Sequence, residues 1–280
     1  MTEAAVAATH VDVSGLTDVG RRRKTNEDHF IVVSLQRAAE VRQTSLTDSG
    51  LLERLRSQEA LLLVVADGVG GRGGGDIASS AAVTGLVEYV GQAAGCLHDL
   101  DIDREHEFLE QLERAVRNAH HHLLTEGGGR GQGPATTLTM AALVGPRAYL
   151  IHVGDSKAYY LRRGRLRKLT RDHTTGEYMV DAGAWTEEQA RTSPVSGNLF
   201  SALGGEELIV SVGLVDLVPG DVLLLCTDGL TNDVPDARIE EILGRAEDAA
   251  SACRALVDEA LAGGGSDNIT VLVTRMSSPA

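Results

Sequence analysis

Residues 136–169 read TTLTMAALVGPRAYLIHVGDSKAYYLRRGRLRKL. Apolar runs of strand length at 136–144, 147–153 and 156–162 are separated by Gly145-Pro146, Gly154-Asp155 and Arg163-Gly164. Glycine, proline and aspartate are turn formers. Connections this short join antiparallel neighbours, because a parallel pair needs a crossover of about a dozen residues. The spacing predicts a meander of successive antiparallel strands.

Outward from this stretch, further Val-, Ile- and Leu-rich runs of strand length occur at 11–16, 29–35, 61–66, 208–213, 222–227 and 268–274. Apolar residues at helical spacing mark Asp76–Gln92 and Glu105–Leu124. Two shorter helices, Ile239–Leu243 and Ala249–Leu261, precede the stop at Gly263-Gly264-Gly265. Strands and helices are grouped rather than strictly alternating. That favours an α+β domain, two mainly antiparallel sheets with helices outside, over a doubly wound parallel fold. The polar stretch 37–58 reads as an insertion between strands, and 174–198 as a mobile flap.

Composition narrows the function. Of 280 residues, 42% are hydrophobic and 24% charged, ordinary values for a soluble globular chain. Lysine and arginine number 26 against 40 acidic residues, a net charge of −14. That balance argues against general nucleic-acid binding and against docking on an anionic membrane. Cys96, Cys226 and Cys253 are too scattered for a disulfide framework or a cysteine zinc site, and fit a reducing cytosol. Met1–Val13 has no basic run followed by a long apolar stretch, so no signal peptide is expected. The longest apolar runs fall far short of the roughly 18 residues of a membrane span. A soluble, cytoplasmic protein is expected.

Asp28, Asp67, Asp155, Asp228 and Asp267 each stand where an apolar strand meets a turn. A single Asp-Gly pair is most simply a hairpin turn. Five such carboxylates delivered to one rim would repel, at about 4 kcal/mol for two unit charges roughly 4 Å apart with an effective dielectric near ~20. Hard divalent cations relieve such repulsion, and all-oxygen donor sets suit Mg²⁺ or Mn²⁺. Gly68, after Asp67, lets a backbone carbonyl approach a metal without a Cβ in the way. Arg21-Arg22-Arg23-Lys24, just before Asn26-Glu27-Asp28, is either an exposed basic turn or an anion site beside the acidic cluster.

Five segments, in order, carry a resemblance. They are Arg23-Lys24-Thr25-Asn26-Glu27-Asp28, Val65-Ala66-Asp67-Gly68-Val69-Gly70-Gly71, Gly154-Asp155-Ser156, Cys226-Thr227-Asp228-Gly229-Leu230 and Ser266-Asp267-Asn268-Ile269-Thr270. Together they resemble the metal-dependent protein phosphatases of the PPM (type 2C) family, in its bacterial Ser/Thr branch. Thr136-Thr137-Leu138 and Leu169-Thr170-Arg171-Asp172-His173 match as well. The resemblance runs from about Gly15 to Val273, so one phosphatase domain over 1–280, with its core at about 15–274, is expected.

The resemblance implies an α-β-β-α sandwich with a binuclear Mn²⁺ or Mg²⁺ centre between the sheets. On it, Asp28, Asp67, Asp228 and Asp267 bind metal through carboxylates, Gly68 through its carbonyl and Glu27 through a water. Asp155, with Asp228, corresponds to a third, weaker metal site, and Arg23 to the arginine that holds the substrate phosphate. The implied reaction is hydrolysis of phosphoserine and phosphothreonine in proteins by a metal-activated bridging water. Phosphorylated protein substrates, a cognate Ser/Thr kinase and a monomeric state come with it. Two departures stand out. Val69 follows Gly68 where some members carry a histidine that protonates the leaving group, and Arg72 follows Gly70-Gly71 where bacterial relatives commonly have histidine.

Other readings of the same residues exist. Gly68-Val69-Gly70-Gly71-Arg72-Gly73 satisfies the G-x-G-x-x-G dinucleotide pattern, but Asp67 would face pyrophosphate and the strands after 136 read as antiparallel. A phosphatase-like binding module without turnover would keep the same ligand positions. Ser156 lacks the G-x-S-x-G context of a nucleophile, and Cys226 reads as core.

Overall fold

A computed structural model describes residues 10–36, 59–69, 74–93, 102–126 and 133–278. The expected insertion at 37–58 and the glycine-rich residues 70–73 lie outside these. One sheet runs β1 (His10–Asp18), β11 (Ile269–Ser277), β10 (Val222–Cys226), β7 (Lys157–Arg162), β8 (Arg165–Lys168). The other runs β2 (Asp28–Gln36), β3 (Glu59–Val69), β5 (Leu138–Val144), β6 (Arg147–Val153), β9 (Ser211–Asp216), with β4 (Ala135–Thr136) beside the end of β3. Every pairing among these strands is antiparallel. Helices α1 (Gly74–Ala93) and α2 (Ile102–Glu126) cover the second sheet. Past the short α3 (Thr175–Asp181), α4 (Glu187–Thr192) and α5 (Asp228–Thr231), helices α6 (Asp236–Arg245) and α7 (Ala249–Gly263) cover the first. The layers are α-β-β-α, as expected.

The pleat explains why the strands are apolar throughout. Successive side chains point to opposite faces of a sheet, and here both faces are covered. In β3, Leu62, Val64 and Ala66 pack against the helices, while Leu63 and Val65 pack between the sheets. In β10, Leu224 and Cys226 face the helices, and Leu223 and Leu225 face the other sheet. Fully buried Leu or Val side chains contribute about 1.5–3 kcal/mol each, and Leu63, Val64 and Val65 are at 0% exposure. Continuing the alternation one step past these runs brings Asp67 and Thr227 onto the face between the sheets. Asp28 shares parity with Phe30 and Val32, and Thr270 with Leu272, which lie in that same inter-sheet core.

The structure corrects two expectations. The run 136–169 is not one meander: β5–β6 is a hairpin in one sheet and β7–β8 a hairpin in the other. The short connection at Gly154-Asp155 changes sheets, because the free edge of β6 is taken by β9 and that of β7 by β10. The strand expected at 208–213 runs instead over Ser211–Asp216. Ser201 Oγ occupies both polar groups of Ile209, accepting from its N–H at 2.8 Å and donating to its carbonyl at 3.3 Å. The flap contains α3 and α4, each N-capped by a threonine, Thr174 and Thr186. The dinucleotide reading fails with the topology, since β3 is flanked on both sides by antiparallel strands. Among the described residues no helix is long and apolar enough to cross a membrane.

Candidate metal centre

Asp28 opens β2 and Asp67 nearly closes β3, and the register sets them directly opposite each other. Asp28 is 4% exposed. Its Oδ2 accepts from Thr227 Oγ1 at 2.8 Å and from Thr270 Oγ1 at 2.7 Å. Behind Thr270 the donors form a chain: Asn26 Nδ2 donates to Thr17 Oγ1 at 2.8 Å, and Thr17 lies 2.7 Å from Thr270 Oγ1. Polarised chains of this kind strengthen the terminal bond. Asp28 Oδ1, equally buried, has no hydrogen-bond partner. Buried acceptors are rarely left so.

The electrostatics bring the other carboxylates to the same place. Burial, then the charges of Asp228 and Asp267, push Asp28 up to about 7 against the pull of the two threonines. Burial lifts Asp67 well above the usual carboxylate range, and Asp28, Asp228, Asp155 and Asp267 add to it. Asp155 is pushed up to about 7 by burial and then by Asp228. Each aspartate singled out from the sequence therefore acts on this one locus. Among the described residues no three acidic, imidazole or thiol groups already close into a chelating cage; the carboxylates face one another and repel.

The neighbouring loops are fastened to the same rim. Asn268 Oδ1 accepts from Glu27 N at 2.9 Å, and its Nδ2 donates to the carbonyls of Val19 and Thr25 at 2.9 and 3.0 Å. This latches the basic loop to the start of β11. Arg23, on that loop, places Nη2 2.6 Å from Asp267 Oδ2 and remains 52% exposed. Asp267, then Asp67 and Glu27, hold its guanidinium above the usual pKa. Asp228 begins α5, where Asn232 Nδ2 donates to its Oδ2 at 3.0 Å. Gly68 passes so close to the Gly75 carbonyl that a Cβ would collide with it, and Glu27 O lies beside the same point. The Glu27 carboxyl sits against Gly75 at the start of α1.

Thr137 joins the two acidic corners. Its Oγ1 accepts from Asp67 N at 3.0 Å and lies 2.6 Å from Ser156 Oγ. Ser156 is fully buried, in keeping with its reading as a non-nucleophile. A cleft of about 710 Å³ opens from Asp155 and Asp228 toward the flap, with Lys157, Arg171, Glu177 and Arg191 among its walls.

The donor set fits hard divalent cations: all oxygen, strongly anionic, with one buried carboxylate oxygen unpartnered and a glycine whose side-chain space is filled by backbone. Sequence reading gave no role to Thr17, Thr137, Thr227, Thr270 and Asn268, although all but Thr17 stand inside the segments that carry the resemblance. Threonine is ordinary in strands, so the role of Thr227 and Thr270 as donors to Asp28 shows only through strand parity once the register is known.

A sequence profile described as protein phosphatase 2C matches residues 36–262. The chain is similar to the serine/threonine protein phosphatase PstP of Mycobacterium tuberculosis, 35% identical over 240 residues, covering 83% of this chain and 44% of that protein. It thus spans less than half the length of that curated relative. It is also similar to the serine/threonine phosphatase stp of Listeria innocua, 33% identical over 260 residues, covering 92% of this chain and 93% of the other. Among solved structures, the catalytic domain of PstP in complex with two manganese ions matches with a TM-score of 0.71 and 30% identity, over 96% of this chain and 99% of that one.

Proposed function

Because the chain belongs to the protein phosphatase 2C family, we propose that it is a metal-dependent phosphatase acting on phosphoserine and phosphothreonine in proteins. The observation that carries this reading is the set of mutually repelling carboxylates from both sheets, with Asp28 Oδ1 buried and unpartnered.

Asp28, Asp67, Asp228 and Asp267, with the Gly68 carbonyl, would hold two Mn²⁺ or Mg²⁺ ions, and Glu27 would act through a water. Asp155, with Asp228, would serve a third, weaker site. Bound cations supply Lewis-acid chemistry there, lowering the pKa of water and offsetting charge on the phosphoryl oxygens. The chain's own groups do the rest. Thr227 and Thr270 fix Asp28 so that Oδ1 faces the site. Arg23, at the exposed rim, binds the phosphoryl oxygens and orients the ester for in-line attack by water. A covalent phosphoenzyme has no support here: Ser156 is buried, and the Cys226 thiol faces the helix-side core with its pKa pushed to about 12 by burial. Val69 stands where some relatives carry an acid, so solvent protonates the leaving oxygen. The substrates on this reading come from a Ser/Thr kinase in the same cytoplasm, and the enzyme acts as a monomer. The free, buried Cys226 and Cys253 are consistent with a reducing compartment.

The test is phosphate release from a phosphopeptide panel with Mn²⁺, with Mg²⁺ and with a chelator. Asp67→Asn and Asp228→Asn are expected to abolish turnover while the circular dichroism stays native. Near-wild-type activity of either variant at low metal would remove that residue from the site. Tight Mn²⁺ and phosphopeptide binding with no phosphate release would favour the binding-module reading instead.

A further inference from the structure

Residues 162–168 read RRGRLRK, five cations in seven positions of a chain whose net charge is −14. They form the tip of the β7–β8 hairpin and the whole of the edge strand β8. The two ends of the run are paired: Arg162 Nη2 lies 2.6 Å from Asp221 Oδ2, and Lys168 Nζ lies 2.6 Å from Asp172 Oδ1. Arg163, Arg165 and Arg167 between them are exposed and, among the described residues, make no ion pair. Acids of the surrounding elements are engaged elsewhere. Asp216 holds Arg147, Asp236 accepts from the Tyr159 hydroxyl, and Glu240 Oε2 accepts from the Leu166 N–H at 2.7 Å. A free edge N–H is what an added strand would pair with. Glu240 therefore closes β8 to strand addition and leaves its side chains to do the recognising.

The turn itself is built against the usual preference. Arg162 pairs with Arg165, so Arg163 and Gly164 are its two central residues, with φ at +53° and +74°. Two-residue hairpin turns with positive φ at both centres select asparagine, aspartate or glycine at the first. Arg163 is the only non-glycine residue with positive φ among the described residues, and no ion pair of its own accounts for the exception. Strain kept where the fold has no use for it points to function. Arg165 and Arg167 stand opposite Arg162 and Tyr160, on the other face from Leu166, which packs on the helices. Two residues apart on a strand, they are about 6.6 Å from each other, the repeat of alternate side chains in an extended peptide. The run starts beside the cleft, because Asp172, the partner of Lys168, is one of its walls. β7 begins two residues after Asp155. At about 3.3 Å per residue the free arginines lie roughly 15–25 Å along the hairpin from that end of the cleft, a distance an extended peptide covers in about five to eight residues.

We propose that the β7–β8 hairpin is a docking surface for an acidic segment of the phosphoprotein substrate, with aspartates or glutamates about five to eight positions to one side of the phosphoresidue held by Arg163, Arg165 and Arg167. This rests on the proposed phosphatase activity and adds a substrate class to it. Guanidinium groups match carboxylates bidentately. A chain of net charge −14 repels acidic segments in general, so a local strip of unpaired arginines both admits such a segment and fixes where it lies. The surface acts on binding, since all three arginines stand well outside the metal centre.

The experiment uses phosphothreonine peptides with neutral flanks, with an Asp/Glu run at that spacing on the N-terminal or on the C-terminal side, and with lysines in place of the acids. Wild type, Arg165→Glu/Arg167→Glu and Arg163→Asn are assayed by phosphate release with Mn²⁺ at roughly 0.05 and 0.5 M NaCl. Anisotropy of the labelled, unphosphorylated acidic peptides reads binding without turnover. Exposed ion pairs each shift binding about 1.5–5-fold, so one acidic peptide is expected to show a KM about tenfold below the neutral one, with kcat unchanged. High salt is expected to remove that advantage. Arg165→Glu/Arg167→Glu is expected to turn the preference toward the lysine peptide while keeping the wild-type rate on the neutral one. Arg163→Asn is expected to raise Tm by about 2 °C, as turn chemistry requires, and to reduce the acidic advantage about twofold. A purely structural arginine would not give that split. Should the reversal variant fail to fold, Arg165→Gln/Arg167→Gln takes its place, with the preference lost rather than reversed. No acidic preference in wild type, or one that survives these substitutions, overturns the proposal. An equal loss on neutral and acidic peptides makes the arginines structural and overturns it too. Tighter binding to single-stranded RNA or to phosphatidylserine vesicles than to the acidic peptide assigns the strip to another partner, with the same result. Absence of phosphate release from every peptide refutes the phosphatase reading instead, and anisotropy then reports separately whether the hairpin binds the acidic segment.

Discussion

Asp28→Asn should stabilise the metal-free protein while destroying its activity. Burial and the repulsion of Asp228 and Asp267 lift the Asp28 carboxyl from 3.8 to about 7. At about 1.4 kcal/mol per pH unit, carrying that charge above pH 7 costs the metal-free fold about 4 kcal/mol. The sign follows from linkage. A carboxyl raised in the folded state favours folding below its unfolded pKa, and that contribution is lost as pH climbs through the folded value. Asparagine keeps the shape and an oxygen for Thr227 and Thr270, but not the charge. Part of the gain is shared with Asp67, which relaxes when its partner is neutral, so about 2–4 kcal/mol is expected at pH 8. For a chain of this size that is a rise in Tm of about 5–15 °C. Scanning calorimetry with a chelator at pH 8 and pH 4.5 measures it, and the gap should narrow to about 1 kcal/mol at the lower pH, where Asp28 is protonated in the folded state but still mostly ionised in the unfolded chain. Mn²⁺ should then raise the Tm of the wild type far more than that of the variant. A variant less stable than wild type at pH 8 in chelator, or one gaining as much from Mn²⁺, would refute the claim that repelling carboxylates make this site.

Two more substitutions probe its supports. Thr227→Val conserves volume but removes one donor to Asp28 Oδ2; hydrogen bonds to charged groups are worth about 1.5–3 kcal/mol, so Mn²⁺ affinity should fall roughly tenfold or more by titration, and unchanged affinity would show the threonine to be dispensable. Arg23→Ala should lower kcat/KM on phosphopeptides about 100-fold, near 2.7 kcal/mol of transition-state binding, while Mn²⁺ stoichiometry holds; lost metal binding instead would make Arg23 a structural partner of Asp267 only.

The aspartates were legible because each stands beside one end, first or last, of an apolar strand run. Past Leu61–Ala66 the next side chain can only emerge at the sandwich rim, and it is Asp67. The corner at Gly154 was not legible as a sheet change. A hairpin and a sheet change use the same short connection and the same glycine, and only competition of β9 and β10 for the strand edges decides between them. The start of β9 was misplaced because Leu208-Ile209-Val210 is the more apolar run, whereas Ser201, far from it in any local window, takes the Ile209 backbone. The helix α4 did carry a local mark that went unread, the capping box of Thr186 and Gln189. Thr227 and Thr270 stand in the quoted motifs, but their role as donors to Asp28 was not legible, since a strand threonine beside a carboxylate looks like any other until the two sheets are stacked.

β11 lies between β1 and β10, in the interior of its sheet, and Asp267 and Asn268 immediately precede it. During synthesis, residues 266–277 are the last of the framework to leave the ribosome. Until they do, the donor chain to Asp28 lacks Thr270, the loop bearing Arg23 has no latch, and one carboxylate is still in the tunnel. On the proposed function, a polypeptide still lacking that strand would be inert toward neighbouring phosphoproteins, because Asp267, Thr270 and the Asn268 latch would not yet be in place.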